Sequence, residues 1–465
     1  MMRADALEAA QEKMRGAGQP EEAVANFLSA HERLLGGTPV TIASSELEPA
    51  RDVPSLEDLP EIGDGDAKAA LERVALVKLN GGLATSMGLR YPKSLVQARD
   101  GRSFLEIIVG QALALRRRYG IRLPLVLMDS EATQADTLRA LGDHPELAPG
   151  LAPDFMQSMV PKLDAEDLGP VSWPPEQELE WCPPGHGDVY GALRRAGVLS
   201  TLLEQGFEYV MISNSDNLGA TADPRIAGFL VREQVPFLME VVQGTEAERK
   251  GGHIARRRDD GQLVLREIAQ APPEDQESFR DFRRWRYYNT NNLWVGLRAL
   301  ADALGRRDGV LELPLIVNRK TVDPRDPNSV AVLQLESAMG AAIEIFSDAE
   351  VLCVSRSRFV PVKTTDDLLV LRSDVYTVSA GQLVEPLPER ASELPYVELD
   401  KRFYGMLDEF EARFPGGPPS LREAKRLVVE GDVTFGSGVK VRGSARVRAE
   451  RPLRIAPGTV LGEER

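Results

Sequence analysis

The sequence predicts an α/β protein with a mixed, mostly parallel sheet, helices on both faces of that sheet, and a small C-terminal β-helix. Two observations predict the sheet. Short apolar runs of strand length alternate with helix-like segments, and polar turns rich in glycine follow several of these runs. The β-helix is predicted by apolar residues that recur every six positions near the C-terminus.

The composition is that of an ordinary globular protein. The 465 residues are 43% hydrophobic and 27% charged, with a formal net charge of -15. No apolar run approaches the roughly 18 residues that cross a bilayer, and the N-terminus has no apolar signal core. The acidic charge argues against nonspecific binding to nucleic acid or to an acidic membrane, so any anion site must be built locally. Two cysteines, Cys182 and Cys353, cannot form a disulfide framework, which favours a cytoplasmic location.

Three regions follow one another along the chain. Residues 1–67 predict an N-terminal helical segment and linker, in which EEAVANFLSAHERLL has the pattern of an amphipathic helix. Residues 68–385 contain the strands and helices of the α/β domain, and residues 386–465 predict a connecting helix and the short β-helix. The six-residue period of the last region is formed by Phe435, Val441, Val447 and Leu453, and again by Ile455 and Leu461. A β-meander is the alternative for this region.

Buried strands are predicted by five apolar runs of the α/β domain, namely RVALVKL, RLPLVLMDS, EYVMISNSDN, PFLMEVV and NLWVGL. Between them, FLEIIVGQALALRRRYG predicts a helix that stops at Gly120. Ligands of such sheets bind at the carboxyl ends of the strands. The sequence places Asn80-Gly81-Gly82 after the first run and residues 213–217 at the end of the third.

The turn after the first strand predicts a phosphate-binding loop. Gly81 and Gly82 allow close approach of a ligand to the backbone, and successive N–H groups in such a turn can bind an anion. Lys93 follows later, with its position defined by Pro92. The spacing fits neither the Walker A motif nor G-x-G-x-x-G, and a plain strand-to-helix turn is the alternative.

Four further residues or motifs carry functional side chains. Asp216, just past a buried strand, is suited to bind Mg²⁺, with an Asx-turn as the alternative. His186 lies in the constrained loop WCPPGHGD, and Lys363 follows the strand-like run FVPV. The asparagines of YNTNNLW offer donors and acceptors that suit sugar hydroxyls.

Together these features favour phosphoryl or nucleotidyl transfer. Such reactions need positioning and charge neutralisation more than covalent help, and an anion loop, two lysines and a carboxylate supply both. The sequence shows neither a Ser-His-Asp spacing nor a pair of carboxylates arranged for glycoside hydrolysis.

Several segments, in order, resemble one family. They are LNGGLATSMG, PKSL, PPGHGDVYGAL, SNSDNLGATAD, KGGHIA, LREIAQAP, NTNNLWVGL, QLESAMGAAIEIF, SRSRFVPVKTTDDLLVLRSDVY and GDVTFGSGV. The chain resembles the eukaryotic-type UTP–glucose-1-phosphate uridylyltransferases, also called UDP-glucose pyrophosphorylases. The resemblance implies a glycosyltransferase-A-like nucleotidyltransferase domain, a left-handed form of the C-terminal β-helix, and Mg²⁺ as cofactor. It implies UTP and glucose 1-phosphate as substrates, UDP-glucose and pyrophosphate as products, and a monomer or small homo-oligomer.

The resemblance also assigns roles to residues. On the nucleotide side, Leu79, Asn80, Gly81 and Gly82 would contact UTP through backbone, Lys93 would hold its phosphates, and Gln157 and Gly185 would recognise uracil. On the sugar side, His186, Asn214 and Asn291 would contact glucose 1-phosphate. Asp216 would bind Mg²⁺, and Lys363 would bridge the phosphates near the reacting phosphorus. Lys93, Lys363 and Asp216 would therefore be the catalytic residues.

Two positions depart from the family pattern, and three alternative functions remain. Ala84 and Tyr91 stand where the family usually has glycine. The nearest alternative is a sister enzyme that makes another UDP-sugar or a UDP-N-acetylhexosamine, since sugar choice depends on a few hydroxyl contacts. An inert nucleotide-binding protein is disfavoured because Lys93, Asp216 and Lys363 are all present. An acyltransferase of the hexapeptide-repeat class is disfavoured because the β-helix is short.

Overall fold

The computed structural model describes residues 3–37, 40–142, 144–390 and 393–462. Its α-helices are α1 (Arg3–Gly16), α2 (Glu21–Leu35), α3 (Asp64–Leu71), α4 (Phe104–Tyr119), α5 (Gln134–Leu141), α6 (Val189–Arg195), α7 (Val198–Glu204), α8 (Pro224–Glu233), α9 (Gln276–Phe279), α10 (Leu297–Gly305), α11 (Thr365–Arg372), α12 (Lys401–Tyr404) and α13 (Leu407–Arg413).

The strands before the middle of the chain are β1 (Leu47–Pro49), β2 (Val74–Leu79), β3 (Gln97–Arg99), β4 (Arg102–Ser103), β5 (Leu125–Asp129), β6 (Asp154–Met156), β7 (Val160–Pro161), β8 (Leu163–Asp164), β9 (Trp181–Cys182), β10 (Tyr209–Asn214) and β11 (Phe237–Gln243). Those after it are β12 (His253–Arg257), β13 (Leu263–Arg266), β14 (Tyr287–Gly296), β15 (Leu315–Thr321), β16 (Ala331–Ser337), β17 (Glu350–Cys353), β18 (Tyr376–Val378), β19 (Val384–Pro386), β20 (Tyr396–Leu399), β21 (Ser420–Glu430), β22 (Val433–Phe435), β23 (Lys440–Arg448), β24 (Leu453–Ile455) and β25 (Val460–Gly462).

The central sheet has the strand order β1-β12-β14-β10-β2-β5-β6, with β13 paired to β12, β11 to β14, and β17 to β11. Neighbours among β10, β2, β5 and β6 are parallel, and so are β11 and β17. The strand β14 runs antiparallel to both β10 and β11. The predicted α/β class and its mostly parallel sheet are confirmed, and β14, β1 and β13, which pair antiparallel with their neighbours, make the sheet mixed.

The strands β2 and β10 lie at the centre of this sheet because both of their faces are apolar. Along β2, Leu76 packs into the hydrophobic core on one face, whereas Val77 packs into the core on the other. Met211 and Ile212 divide in the same way along β10. This alternation explains why each strand reads as a continuous apolar run.

The helix α4 shows how local signals set an element's ends. Ser103 Oγ accepts a hydrogen bond from Glu106 N, and the Glu106 carboxylate accepts one from Ser103 N, which forms a capping box. At the other end, Gly120 adopts a φ of 62°, a left-handed conformation that favours glycine. The predicted stop at Gly120 is confirmed.

The N-terminal segment packs closely on the α/β domain. The predicted amphipathic helix is α2, which buries Val24, Phe27 and Leu35. Within the predicted linker, β1 pairs with β12 at the edge of the central sheet. The sequence does not predict this strand, because three residues that end in Pro49 carry no periodic signal. None of the helices in the described part of the chain is long and apolar enough to cross a membrane.

The C-terminal region is a stack of parallel strands. The strands β20, β21, β23 and β25 pair in that order, and β22 pairs with β24. Val429 pairs with Val447, eighteen positions later, which equals three sides of six residues. Parallel pairing contradicts the β-meander alternative, whose strands are antiparallel. Phe435 and Val441 are buried as predicted, but Leu453 is 42% exposed, so this part of the predicted six-residue period does not face the interior.

Candidate active site

The candidate site begins where β2 and β10 end side by side. Leu79 and Asn214 are partners in the parallel register, and Ser215 N donates to Leu79 O at 3.2 Å. The chain turns into a loop after each of them, so both predicted ligand-binding loops leave the same edge of the sheet. This is the edge at which parallel α/β sheets bind ligands.

Asn80 fixes the start of the glycine loop. Its buried Nδ2 donates to Asp129 Oδ1 at 2.7 Å and to Thr137 Oγ1 at 2.8 Å. Beside it, Ser130 Oγ donates to Gly81 O at 2.9 Å. The Asn80 side chain is therefore directed into the fold, with its buried Oδ1 lacking a partner among the described residues, and a ligand at this loop would meet the backbone.

Gln157 lies directly against this loop, after β6. A Cβ added to Gly81 would lie 2.7 Å from Gln157 Oε1 and 2.9 Å from its Nε2. Only glycine allows the Gln157 amide this close approach. The structure thus brings together two residues assigned to the nucleotide, although they are far apart in sequence.

The loop then doubles back and brings Lys93 to the site. Lys93 N donates to Gly82 O at 3.2 Å, and Ala84 N donates to Tyr91 O at 3.3 Å. Ala84 has a φ of -82°, so the position needs no glycine. Tyr91 packs against the main core. Both departures from the family pattern fit the loop without strain.

Lys93, Asp216 and Lys363 form one lysine–carboxylate cluster. Asp216 Oδ2 accepts hydrogen bonds from Lys93 Nζ at 3.0 Å and from Lys363 Nζ at 2.8 Å. Burial alone would raise the pKa of the Asp216 carboxyl, but Lys363 and Lys93 hold that pKa below its ordinary value. All three predicted catalytic residues therefore meet in the fold.

The cluster also fits a bound Mg²⁺. Asp216 Oδ1 is buried and has no hydrogen-bond partner among the described residues. Within the described ranges, no group of three or more His, Cys, Asp or Glu side chains is placed to hold a metal ion. Mg²⁺ commonly binds one or two carboxylates and completes its shell with water and substrate phosphates. Asp216 is suited to such a shared ion.

His186 is held as a neutral imidazole. Its Nδ1 accepts a hydrogen bond from Met339 N at 2.9 Å, so the ring proton resides on Nε2. Burial, helped by the nearby charge of Lys363, lowers the pKa of His186 to about 4. The preceding Gly185 has a φ of 81° and packs so tightly on Ser337 that a Cβ would lie 2.5 Å from Ser337 O.

Of the asparagines, Asn289 and Asn291 are half-buried and Asn292 is fully buried. Asn291 adopts a φ of 58° at a β-bulge in β14, and its backbone N donates to Asn289 Oδ1 at 2.8 Å. Asn292 is buried, and its Nδ2 donates to Glu240 Oε2 at 3.1 Å. Asn292 Oδ1 also accepts from Asn217 Nδ2 at 3.1 Å, which ties β14 to the loop that carries Asp216. Asn291 is thus the member of this pair placed to meet a ligand.

Glu267 is a further polar residue at this edge that the sequence analysis did not assign. Its carboxylate packs on Gly252, where a Cβ would lie 2.5 Å from Glu267 Oε1. Gly252 O in turn accepts from Asn289 N at 2.9 Å, which places Glu267 near the asparagine bulge. Burial raises the pKa of Glu267 to about 7. The sequence signal that could have indicated Glu267 is its place in LREIAQAP, one of the segments that resemble the family.

Buried polar residues behind the site gave no sequence signal. Glu240 accepts hydrogen bonds from Arg358 Nε at 2.8 Å and from Trp294 Nε1 at 2.9 Å. Lys78 lies within β2, and Asp129 ends β5. Each occurs in a segment that reads as an apolar strand or as a surface loop, so its partners could be found only from the fold.

Comparison with known proteins gives the same family as the motifs. Residues 24–442 match the UTP–glucose-1-phosphate uridylyltransferase family. The uridylyltransferase of Hordeum vulgare is 39% identical over 95% of this chain and 92% of its own length. A probable uridylyltransferase of Schizosaccharomyces pombe is 37% identical over 92% of this chain and 84% of its own.

Solved structures resemble the whole fold. A UDP-glucose phosphorylase from Trypanosoma brucei superimposes with a TM-score of 0.91 and 41% identity, covering 99% of each chain. The UDP-glucose pyrophosphorylase from Leishmania major, known in open and closed structures, gives a TM-score of 0.93 and 39% identity over 99% of this chain and 98% of that one. The chain therefore belongs to the UTP–glucose-1-phosphate uridylyltransferase family.

Proposed function

We propose that this protein transfers UMP from UTP to glucose 1-phosphate and releases UDP-glucose and pyrophosphate, in a reversible reaction. The observation that carries the proposal is the position of Asp216 between Lys93 and Lys363, at distances of 3.0 and 2.8 Å. This charge arrangement suits a reaction between phosphates. Membership of the family supports the choice of substrates.

The nucleotide half of the site would lie on the glycine loop. Backbone groups of residues 79–82 would contact UTP, because the Asn80 side chain is already bonded to Asp129. Gln157, pressed against Gly81, would recognise uracil together with Gly185. Lys93 returns along the far side of the loop and would hold the phosphates.

The sugar half would lie between His186, Asn214 and Asn291. Since His186 Nδ1 accepts from Met339 N, Nε2–H is the group that can donate to an oxygen of glucose 1-phosphate. Glu267 would accept a hydrogen bond from a sugar hydroxyl near the asparagine bulge. The neutral state of His186 keeps this donor constant over the physiological pH range.

The chemical step would be an in-line displacement at the α-phosphorus of UTP. A phosphate oxygen of glucose 1-phosphate is already ionised at neutral pH, so the attack requires no general base. One P–O bond forms at the α-phosphorus while the bond to the pyrophosphate oxygen breaks. Lys363 and Lys93 would neutralise the charge that develops on the α-phosphate and on the leaving group.

Asp216 would hold Mg²⁺ through its free Oδ1, an atom with no partner among the described residues. When bound, Mg²⁺ would add charge neutralisation and orient phosphate oxygens. Asp216 would then have two tasks, since its Oδ2 also gathers the two lysines.

A sister activity on another sugar 1-phosphate is the second candidate. The observation in its favour is that Asn291 lies at the β-bulge of β14 and Glu267 in the turn after β13, where small shifts can change which hydroxyls are bound. Discrimination at such a site depends on whether buried polar groups find partners in the substrate.

The test is pyrophosphate release across a panel of substrates. UTP would be compared with the other nucleoside triphosphates, and glucose 1-phosphate with galactose 1-phosphate and N-acetylglucosamine 1-phosphate, with and without Mg²⁺. The expected result is preference for UTP and glucose 1-phosphate and loss of turnover without Mg²⁺. Equal rates with N-acetylglucosamine 1-phosphate would favour the sister activity, and no release with any pair would contradict both.

We further propose that the C-terminal strands form a left-handed β-helix. The pairing of Val429 with Val447, one coil of three six-residue sides, supports this form. We also expect a monomer or small homo-oligomer in the cytoplasm, as the sequence predicts. Light scattering of the purified protein would test the oligomeric state.

A further inference from the structure

Lys78 is a buried lysine next to the site, and no step of the proposed reaction uses it. Lys78 lies within β2 and is buried, with only 2% of the residue exposed. Lys78 Nζ donates to Ser213 Oγ at 2.7 Å and to Ala220 O at 2.7 Å. Ser213 is its register partner on β10, whereas Ala220 lies beyond the following loop. One amine group therefore joins β2 to both ends of residues 214–219.

The segment closed in this way carries Asn214 and Asp216. On its other side it is fixed by the chain that leads to Lys363, since Asn217 Oδ1 accepts from Val360 N at 2.8 Å. Val362 N also donates to Asp216 O at 3.2 Å. Asp216 is thus held from two directions, by Lys78 through the ends of its loop and by residues 360–362 through its backbone.

The charges around Lys78 distinguish it from a residue that only fills space. Both acceptors of its hydrogen bonds are neutral. Burial and the nearby Arg358, opposed by Glu240, together lower the pKa of Lys78 to about 7. Glu240 is itself bonded to Arg358 Nε at 2.8 Å, and Asp223 lies 4.0 Å from the same guanidinium. A buried amine without a carboxylate partner stabilises the fold less than an apolar side chain of equal length.

An apolar side chain would pack β2 equally well, so the two hydrogen bonds of Lys78 are explained better by the loop that they hold. We propose that Lys78 is a positioning residue for catalysis, which sets residues 214–216 against β2 so that Asp216 can gather Lys93 and Lys363. Because Lys78 is buried and its amine is bonded to Ser213 and Ala220, it would act through the loop and not through direct contact with substrate. The inference rests on the proposed function, because it assigns Asp216 a place in that reaction.

Replacement of Lys78 separates turnover from nucleotide binding. Lys78→Met keeps the side-chain length but removes both hydrogen bonds. We expect kcat to fall by about 10-fold to 100-fold, since a displacement of about 1 Å at a reacting group can cost that much. The KM for UTP should change by less than about threefold, because Ser130 and Asp129 hold Gly81 and Gln157 independently.

Lys162→Met is the matched control. Lys162 is also buried, with 6% of the residue exposed, and its Nζ donates to Val322 O at 3.1 Å. It lies between β7 and β8, and its hydrogen bonds join it to Glu180, Val171 and Val322, none of which belongs to the lysine–carboxylate cluster. We expect its kcat to remain within about twofold of the wild type, as for other changes outside a reacting site. Comparison of Lys78→Met with Lys162→Met distinguishes the loss of the loop contacts from the general effect of losing a buried amine.

Ser213→Ala is the second variant, in case Lys78→Met does not fold. It keeps Lys78 and removes one acceptor, so kcat should fall by several-fold while the KM for UTP is retained. The role of Lys78 is overturned if Lys78→Met folds with a kcat within twofold of the wild type, or if Ser213→Ala shows no loss. A parallel rise in the KM for UTP would equally overturn it. The wild-type rate in the same assay tests the proposed function separately, because an inactive wild type contradicts that function before any variant is compared.

Discussion

The backbone of Gly81 and the side-chain amide of Gln157 are in direct contact, although β5 and α5 lie between them in the chain. A Cβ on Gly81 would fall 2.7 Å from Gln157 Oε1, well inside the separation of non-bonded atoms. The contact makes the proposed uracil-recognising amide dependent on a glycine of the loop.

Gly81→Ala should weaken UTP binding by displacing Gln157. The Gln157 side chain is flexible enough to move, so stability should change little while the Kd for UTP rises by about tenfold, roughly one lost hydrogen bond. Gly82→Ala should cause a smaller loss, because nothing lies within 4 Å of a Cβ there. Isothermal titration calorimetry would measure both.

A double-mutant cycle checks the cause. Once Gln157→Ala has removed the amide, adding Gly81→Ala should cost little more, so the two effects should not add. Additive losses would show that Gly81 acts through something other than Gln157.

Lys363→Ala should reduce turnover far more than UTP binding. Removing one charge-stabilising donor costs on the order of 100-fold in rate, whereas Lys93 remains to hold the nucleotide. Rapid-quench measurement of a single turnover, beside the Kd for UTP, would separate the two quantities. Lys401→Ala, at an exposed lysine of α12, is the control. Near-normal turnover in Lys363→Ala would contradict the role given to this lysine.

His186 should remain neutral from about pH 5.5 upward. Burial and Lys363 lower its pKa to about 4, so the charged form should appear only below pH 5. NMR titration of the imidazole would measure this directly. In Lys363→Ala the pKa of His186 should rise only part of the way to its ordinary value, because burial is the larger cause. An imidazolium signal at pH 6.5 in the wild type would contradict the assignment.

Asp129→Asn should change how stability depends on pH. Burial raises the pKa of Asp129 from 3.8 to about 6, so the folded protein binds this proton more tightly than the unfolded chain. The free energy of unfolding contributed by this group is therefore highest below pH 3.8 and falls as pH rises to about 6. Asn cannot titrate, so the variant should gain up to about 3 kcal/mol over the wild type between pH 4 and 7.

Urea unfolding at several pH values would measure this difference. Asp136→Asn, in the following helix α5 and with a side chain 34% exposed, is the matched control for replacing an aspartate by asparagine. If Asp129→Asn follows the wild-type curve in parallel, Asp129 does not titrate in this range.

The parts of the fold that the sequence predicts are those with a signal in the neighbouring residues, such as an apolar run or a polar turn. The continuous apolar runs of β2 and β10 identify central strands, and the polar turns after them identify the binding edge. The antiparallel direction of β14 could not be predicted, because its apolar run would read the same in either direction. The short strand β1 gave no signal because its pairing is decided by β12.

The motifs predict which residues are candidates for the site, but not which of them are in contact. Lys93, Asp216 and Lys363 are such candidates, and their meeting at one carboxylate oxygen depends on the folded chain. The role of Lys78 could not be predicted, because a single polar residue in an apolar run still reads as part of a buried strand. The contacts of Asp129 could not be predicted either, because its partners Asn80 and Thr137 lie in other parts of the chain and meet it only in the fold.

The shared Oδ2 of Asp216 also bears on the protein before substrate arrives. Two ammonium groups drawn together without an anion would repel each other and spread apart. The carboxylate acts as a resident counter-ion that keeps Lys93 and Lys363 gathered in the free state. Arrival of a triphosphate is then an exchange of one anion for another, and the cations need not be assembled anew for each catalytic cycle.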